Sequence, residues 1–379
     1  MTWQRAAWSI VVLAVAFLAI GGAWLLTLPT PKVTALATIP EVETKTTLAA
    51  LGPPKRRDRP LIAVVGINDA TETTDYLTPY GILRRADIAD VVALATGQGP
   101  VKLFPALTVE PQMTIAEFDA RHPDGADYVI VPAMSRDDDP AALGWIRQQS
   151  AKKATVIGIC AGAKVVAAAG LLDGKRATTH WYYVDELRQK HPTIQYVPNR
   201  RMVVDGGVAT TTGISSSIPF ALTLIEAIAG QTKAVQVAGD LGVAHWDARH
   251  DSAAFTFTRP FAVTALANTL AFWSHETLGM ALAKGMDEVS LALVADAWSR
   301  TYRSRAKTFA TQDGSVLSRN GLAILPDRVA TDWPSERRLP PIGDKPPATA
   351  LDAALRAIAQ RHGTATSQFV AMQLEYRRR

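Results

Sequence analysis

One residue type in this chain is scarce enough to be read individually. Of 379 residues a single one is cysteine, Cys160, which excludes an intramolecular disulfide and a thiolate-rich zinc site. The thiol falls in Val156-Ile157-Gly158-Ile159-Cys160-Ala161-Gly162-Ala163-Lys164, an apolar strand that turns directly into a helix with glycines on either side. Glycine there allows a tight, strained turn that lifts a side chain out of a sheet, the logic of a nucleophile elbow. A helix starting behind the sulfur points its positive end at it and is expected to lower the thiol pKa. The competing reading is a buried structural cysteine, the commoner fate of a free thiol. A second cluster, His245, Asp247, His250 and Asp251, invites a metal reading. It has no i,i+4 pairing and no third distant ligand, so no metal is assigned.

The elements that must position Cys160 alternate between strand and helix. Leu61 to Val65 is a wholly apolar run closed by Gly66, the mark of a strand buried on both faces. A helix follows with Leu77, Ile82, Leu83 and Ala86 on one face, then a strand at Val91 to Ala95. Thr114 and Glu117 form a capping box for a helix through Ala120,. After the strand Ala126 to Val131, Asp139 and Pro140 open a helix to about Ser150 as N-cap and first turn,. The strand Ala154 to Ile159 and a helix Ala161 to Leu172 complete the series. Such alternation implies a mostly parallel sheet covered on both faces, with ligands bound beyond the carboxyl ends of its strands. Cys160 falls at one of those ends.

The stretch Gly158 to Trp181, GICAGAKVVAAAGLLDGKRATTHW, with Asp205 to Gly213, DGGVATTTG, resembles the ThiJ/PfpI family of the DJ-one, class I glutamine amidotransferase-like superfamily. It is most similar to isonitrile-hydratase-like members and to the input domains of AraC-type regulators. The resemblance covers about residues 60 to 235 and implies a flavodoxin-like three-layer α/β sandwich without a cofactor. It also implies roles: Cys160 as the elbow nucleophile, His180 as the histidine that follows it, and Asp75 as the first-helix acid beside the thiol. Backbone at Ala133, Ala161 and Gly162 is expected to meet substrate and steady developing charge. Two departures stand out. Pro132-Ala133-Met134 replaces the Pro-Gly-Gly common in relatives, and Ala161 replaces the histidine of protease-like members, which argues against peptidase activity. A glutaminase would also need a downstream His-x-Glu pair, and none is found.

Outside this region, Ala6 to Leu28 carries no charge, and as a helix would span about 35 Å, enough for a bilayer. A transmembrane helix over 6–28 is therefore expected, then a tether over 29–59, the α/β domain over 60–235 and a C-terminal extension over 236–379. A single-pass membrane protein with its soluble part outside the cytoplasm follows as the expected location. In the extension, Ala234 to Val237 reads as strand-like, Phe261 to His275 as helix-compatible, and Leu351 to Gln360 as a helix burying Leu351, Leu355 and Ile358. Residues 95–112 and 310–327 align without gaps at six identities in 18, the faint trace of a partial repeat of the α/β unit without an elbow cysteine.

With 40 Lys and Arg against 35 Asp and Glu, the net charge of +5 is too small to argue for nucleic acid,. An apolar fraction of 48% with 20% charged residues excludes wholesale disorder,. The expected partners are a small-molecule substrate and, through 6–28, a lipid bilayer, with a homodimer left open. The favoured function is a cysteine-dependent hydratase, hydrolase or lyase acting on a small electrophile. The alternatives are a ligand-sensing module and a redox role for the thiol.

Overall fold

The computed structural model describes residues 2–32, 34–53, 56–343 and 345–377. At its centre lies a seven-stranded sheet of β1 (Leu61–Gly66), β2 (Asp90–Ala95), β3 (Met113–Thr114), β4 (Tyr128–Val131), β5 (Thr155–Gly158), β6 (Met202–Asp205) and β7 (Val208–Thr211). The order across the sheet is β6-β7-β5-β4-β1-β2-β3, parallel throughout except for the β6–β7 hairpin. β1 and β4 are buried at every position, which is why their sequences are unbroken apolar runs rather than alternating ones. Ile62 and Val64 of β1 face one core and Leu61, Ala63 and Val65 the other, as the two-residue period of a strand requires.

The helices used below are α1 (Thr2–Thr27), α2 (Glu41–Leu51), α3 (Thr73–Ala86), α4 (Gly162–Ala168), α5 (Ser217–Ala229), α6 (Gln231–Leu241), α7 (Glu288–Ser299), α8 (Pro347–His362) and α9 (Thr364–Gln373). α3 and α5 cover one face of the sheet; α4 and the helix Pro140–Ala151 cover the other. The Thr114–Glu117 capping box and the Asp139 cap are both formed. Leaving β1, the chain crosses to β2 and β3 on one side and then returns to β4 on the other. The crevice at the carboxyl ends of β1 and β4 is therefore the topological switch point at which α/β sheets bind ligands.

Beyond residue 270, strands Glu276–Ala281, Ser304–Ala310 and Arg328–Val329 form a three-stranded parallel sheet. Val316–Leu317 and Ala323–Leu325 join Thr108–Glu110, Val101–Phe104 and Asp69–Glu72 in a five-stranded one. α7 crosses α3 at Gly81, where an added Cβ would lie 2.6 Å from Glu288 Oε1. Only a bare backbone allows so close a crossing.

Three expectations need correction. Ala234 to Val237 lies inside α6, whose buried Ala234, Val237, Ala238 and Leu241 recur at helical spacing, a period too long to read in four residues. The described residues of 29–59 act as a strap on the body rather than as a free tether. They include α2, whose Leu51 carbonyl accepts from the Tyr128 hydroxyl at 2.7 Å, and Glu43 holds Arg200 through two contacts of 2.6 and 3.0 Å. Arg56 and Arg57 both reach the buried Asp127.

The membrane span expected over 6–28 is not supported: among the described residues no helix is long and apolar enough to cross a membrane. α1 does form, but the side chains of 2–7, 9–12, 14, 17 and 18 lie outside the described ones. Its last turn is docked on the body, with Arg259 donating to the Leu25 and Leu26 carbonyls at 3.1 and 2.6 Å and Trp24 against Phe257. The placement outside the cytoplasm rested on that span and loses its support with it.

Candidate active site

Cys160 follows β5 with φ of 57°, the left-handed region that costs a non-glycine residue about 1–2 kcal/mol. The surroundings hold it there. Its N–H donates to Thr211 Oγ1 at 3.1 Å, and its carbonyl accepts from the Thr179 hydroxyl at 3.1 Å. The flanking glycines act by close approach rather than by conformation. A Cβ on Gly162 would lie 2.0 Å from the Val131 carbonyl oxygen, and one on Gly158 would lie 2.9 Å from Ala163. The elbow is thus wedged against the end of β4, and Cys160 is only 4% exposed.

Asp75 stands in the first turn of α3, which begins soon after β1. Glu72 is the N-cap of that helix: its Oε2 accepts from the Asp75 N–H at 2.5 Å and the Thr74 hydroxyl at 2.9 Å. Asp75 itself is wholly buried; Oδ2 accepts from the Ala133 N–H at 3.1 Å, while Oδ1 has no hydrogen-bond partner. Burial, and then the charge of Glu72, push the Asp75 carboxyl well above the usual range,. The far oxygen of Glu72 accepts from Arg300 at 2.8 Å, and Arg300 also donates to Asp296 at 2.6 Å. These two acids hold the buried guanidinium in its charged form.

The thiol does not behave as the sequence led us to expect. Burial first, then the neighbouring charges of Asp75, Glu72 and Glu375, raise the Cys160 pKa well above its ordinary value, against a lowering contribution from the Ala161 N–H. The expected effect of a helix end is outweighed because α4 has only seven residues and the desolvation is complete. Burial therefore pushes both the thiol and the carboxyl toward their neutral forms,.

His180 also departs from expectation. Its Nε2 donates to the Gln373 carbonyl at 2.9 Å and its Nδ1 accepts from the Tyr182 N–H at 3.2 Å. Burial depresses its pKa to about 4. With both nitrogens engaged, His180 is a structural clasp for the C-terminal segment rather than a base for Cys160. Two of the three expected backbone contacts are likewise spent: the Ala133 N–H on Asp75, and the Gly162 N–H on the Ile159 carbonyl at 2.7 Å. The Ala161 N–H alone is directed at the sulfur.

Three residues that the sequence did not single out complete the site: Glu72, Arg300 and Glu375. The Glu375 carboxylate accepts from the N–H groups of Gly213 and Trp181, the latter at 2.7 Å, and burial raises its pKa to about 7. Beside it opens a cavity of about 300 Å³ lined by Thr179, Trp181, Tyr182, Thr212, Phe257 and Glu375 among others. Thr179 ties the cavity to the elbow through its bond to the Cys160 carbonyl. The His245–Asp251 cluster is dispersed: Asp247 binds Arg249, His250 stacks on Phe255, and Asp251 accepts from Thr34. Among the described residues no three acidic, histidine or cysteine side chains group to hold a metal.

The family model of the DJ-1/PfpI family matches residues 62–227. Isonitrile hydratase of Pseudomonas putida is 36% identical over 161 residues, which span 41% of this chain and 67% of that protein. The chain belongs to the DJ-1/PfpI family. The Parkinson disease protein 7 homolog of Danio rerio is 29% identical over 184 residues, 47% of this chain and 95% of that one. The HTH-type transcriptional regulator CdhR of Pseudomonas aeruginosa is 39% identical over 98 residues, 26% of this chain and 29% of the regulator. Among solved structures, Drosophila melanogaster DJ-1beta aligns with a TM-score of 0.44 at 24% identity, over 49% of this chain and 100% of that chain.

Proposed function

We propose that this protein is a cysteine-dependent enzyme that adds water to, hydrolyses or eliminates from a small electrophilic molecule at Cys160. The observation that carries the reading is the buried Asp75, whose unpartnered Oδ1 stands in the same pocket of charges as the elbow thiol. A neutral thiol and a neutral carboxyl can act together. The sulfur bonds to the electrophilic carbon, Asp75 gives its proton to the substrate atom that gains charge, and the thiol proton passes to the carboxylate so formed. Water then adds to that carbon: its oxygen bonds to carbon, the carbon–sulfur bond breaks, and one water proton passes through Asp75 to the departing sulfur while the other stays with the product. Thiol and carboxyl are both restored, and the buried charge is unchanged over the cycle. The cavity beside the elbow suits a small ligand,, and the similarity to isonitrile hydratase favours hydration.

Sensing without turnover is the second reading. It draws on the raised thiol pKa and on the similarity to the regulators CdhR and GlxA, the latter of Rhizobium meliloti. The test is Cys160→Ala in the full chain against a panel of small electrophiles, with circular dichroism as the folding control. Turnover falling at least about 1,000-fold in a folded variant is the expected result. Turnover retained in that variant would falsify the enzymatic reading.

A further inference from the structure

The C-terminal half repeats the opening elements of the elbow unit at one fixed separation. Leu61–Gly66, Thr108–Glu110 and Met113–Thr114 have counterparts in Glu276–Ala281, Ala323–Leu325 and Arg328–Val329, each 215 residues further on, and α3 has its counterpart in α7. A tight turn is copied with them: the Leu103 N–H donates to the Leu107 carbonyl at 2.9 Å, and the Ser318 N–H to the Leu322 carbonyl at 2.9 Å. The pair α5 and α6, broken at Gly230 with φ of 83°, recurs as α8 and α9, broken at Gly363 with φ of 89°. Among the described residues the second set has no counterparts of β4 to β7, and therefore none of the elbow.

The two sets meet reciprocally. Thr108 pairs with Leu325, Val109 with Ile324 and Glu110 with Ala323, so exchanging every residue for its counterpart returns the same pairs. Ion pairs obey the same exchange. Arg300, the counterpart of Arg85, holds Glu72; Arg85 holds Asp287, the counterpart of Glu72. Even the caps correspond, Glu72 accepting from the Asp75 N–H and Asp287 from the Ser290 N–H at 2.8 Å. Contacts in which i meets j and j meets i define an isologous, two-fold interface, the kind that joins identical subunits.

We propose that residues 276–377 are a second copy of the elbow unit that has lost its elbow and serves as a built-in partner subunit, with Arg300 as the positioning residue it delivers to the Asp75–Cys160 pair. The inference rests on the reading of Cys160 as a reactive thiol. Arg300 holds Glu72 on the cap of α3, and the capped turn carries Asp75. The charged and titratable groups that bear on the sulfur are Asp75, Glu72, Glu375, Arg300 and Tyr183; Arg300 is the cation among them. Arg85 makes the same bond at similar burial, with side chains 10% and 14% exposed for Arg85 and Arg300, but in the copy without a thiol. The molecule therefore contains its own control.

The experiment is alkylation of Cys160 by iodoacetamide over a range of pH in the full chain, comparing wild type with Arg300→Met, Arg300→Lys and Arg85→Met and following thermal melting in parallel. Arg300→Met is expected to move the alkylation midpoint up by a unit or more, slowing the reaction about tenfold at a fixed pH below it. Arg300→Lys restores most of the shift, and Arg85→Met lowers the melting temperature without moving the midpoint. Coincident profiles for Arg300→Met and Arg85→Met would overturn the proposal. If Arg300→Met fails to fold, Glu72→Gln against Asp287→Asn decides: only Glu72→Gln should lower the midpoint, and equal effects sink the idea. A wild-type thiol inert at every pH would instead overturn the reactive-cysteine reading on which the proposal stands.

Discussion

Cys160 and Asp75 are each driven toward the neutral form by burial, and the charge of Asp75 raises the thiol further,. The same desolvation acts with opposite signs on other groups nearby, and this fixes the pH dependence of folding. His180 and His250 are depressed to about 4, so the stability they support is complete above their unfolded value of 6.5 and is lost as pH falls toward 4. Glu375 is raised to about 7, so its contribution is complete below 4.5 and is lost as pH rises toward 7. Each effect amounts to at most roughly 3 kcal/mol. Urea unfolding from pH 4 to 8 should therefore show a maximum in between, and His180→Gln should flatten the acid limb; an acid limb of unchanged slope would count against this account. From the sequence, Cys160 could be found because strand, turn and helix patterns are local, and Asp75 could be named only through the family resemblance. The direction of the thiol pKa could not. It depends on Glu72, Glu375 and on an Arg300 lying 228 residues from its partner, and on a burial that no single element encodes.

Between residue and fold, the elbow is held by contacts too close for side chains. Gly162 faces the Val131 carbonyl with no room for a Cβ, so Gly162→Ala must push α4 away from β4 or twist the turn that sets Cys160. We expect it to destabilise by about 3 kcal/mol and to lower turnover in whatever fraction still folds, as read by melting and by activity per folded molecule. A variant with wild-type stability would contradict the wedge. The glycine pattern was legible, but its reason was different from the expected one: the cysteine, not a glycine, takes the left-handed conformation. The Thr114–Glu117 and Asp139 caps were read correctly because capping is settled within one turn,. Ala234 to Val237 was misread because four apolar-rich residues fit either period.

For the molecule as a whole, if residues 276–377 are the built-in partner proposed above, the reciprocal pairing of Val109 with Ile324 and of α3 with α7 covers from within the face on which two identical copies would meet. Sedimentation equilibrium should return a single chain of 40.7 kDa over the micromolar range. A dimer abolished by Ile324→Asp would show instead that this face remains open. The faint identity between 95–112 and 310–327 is the trace that the proposed second copy would leave in the sequence, but the pairings that support it join residues more than 200 positions apart. The strap of residues 34–59 follows the same rule: its partners Asp127, Tyr128, Arg200 and Asp251 lie far along the chain, so composition alone made it look like a linker.

Phe257 has two neighbours of different kinds, the cavity beside the elbow on one side and Trp24 of α1 on the other. The end of α1 thus packs against a residue that lines the cavity. A preparation trimmed of its first 28 residues would leave Phe257, a lining residue of that cavity, without its Trp24 partner, so small-molecule affinities measured on it would describe the shortened protein rather than the full chain.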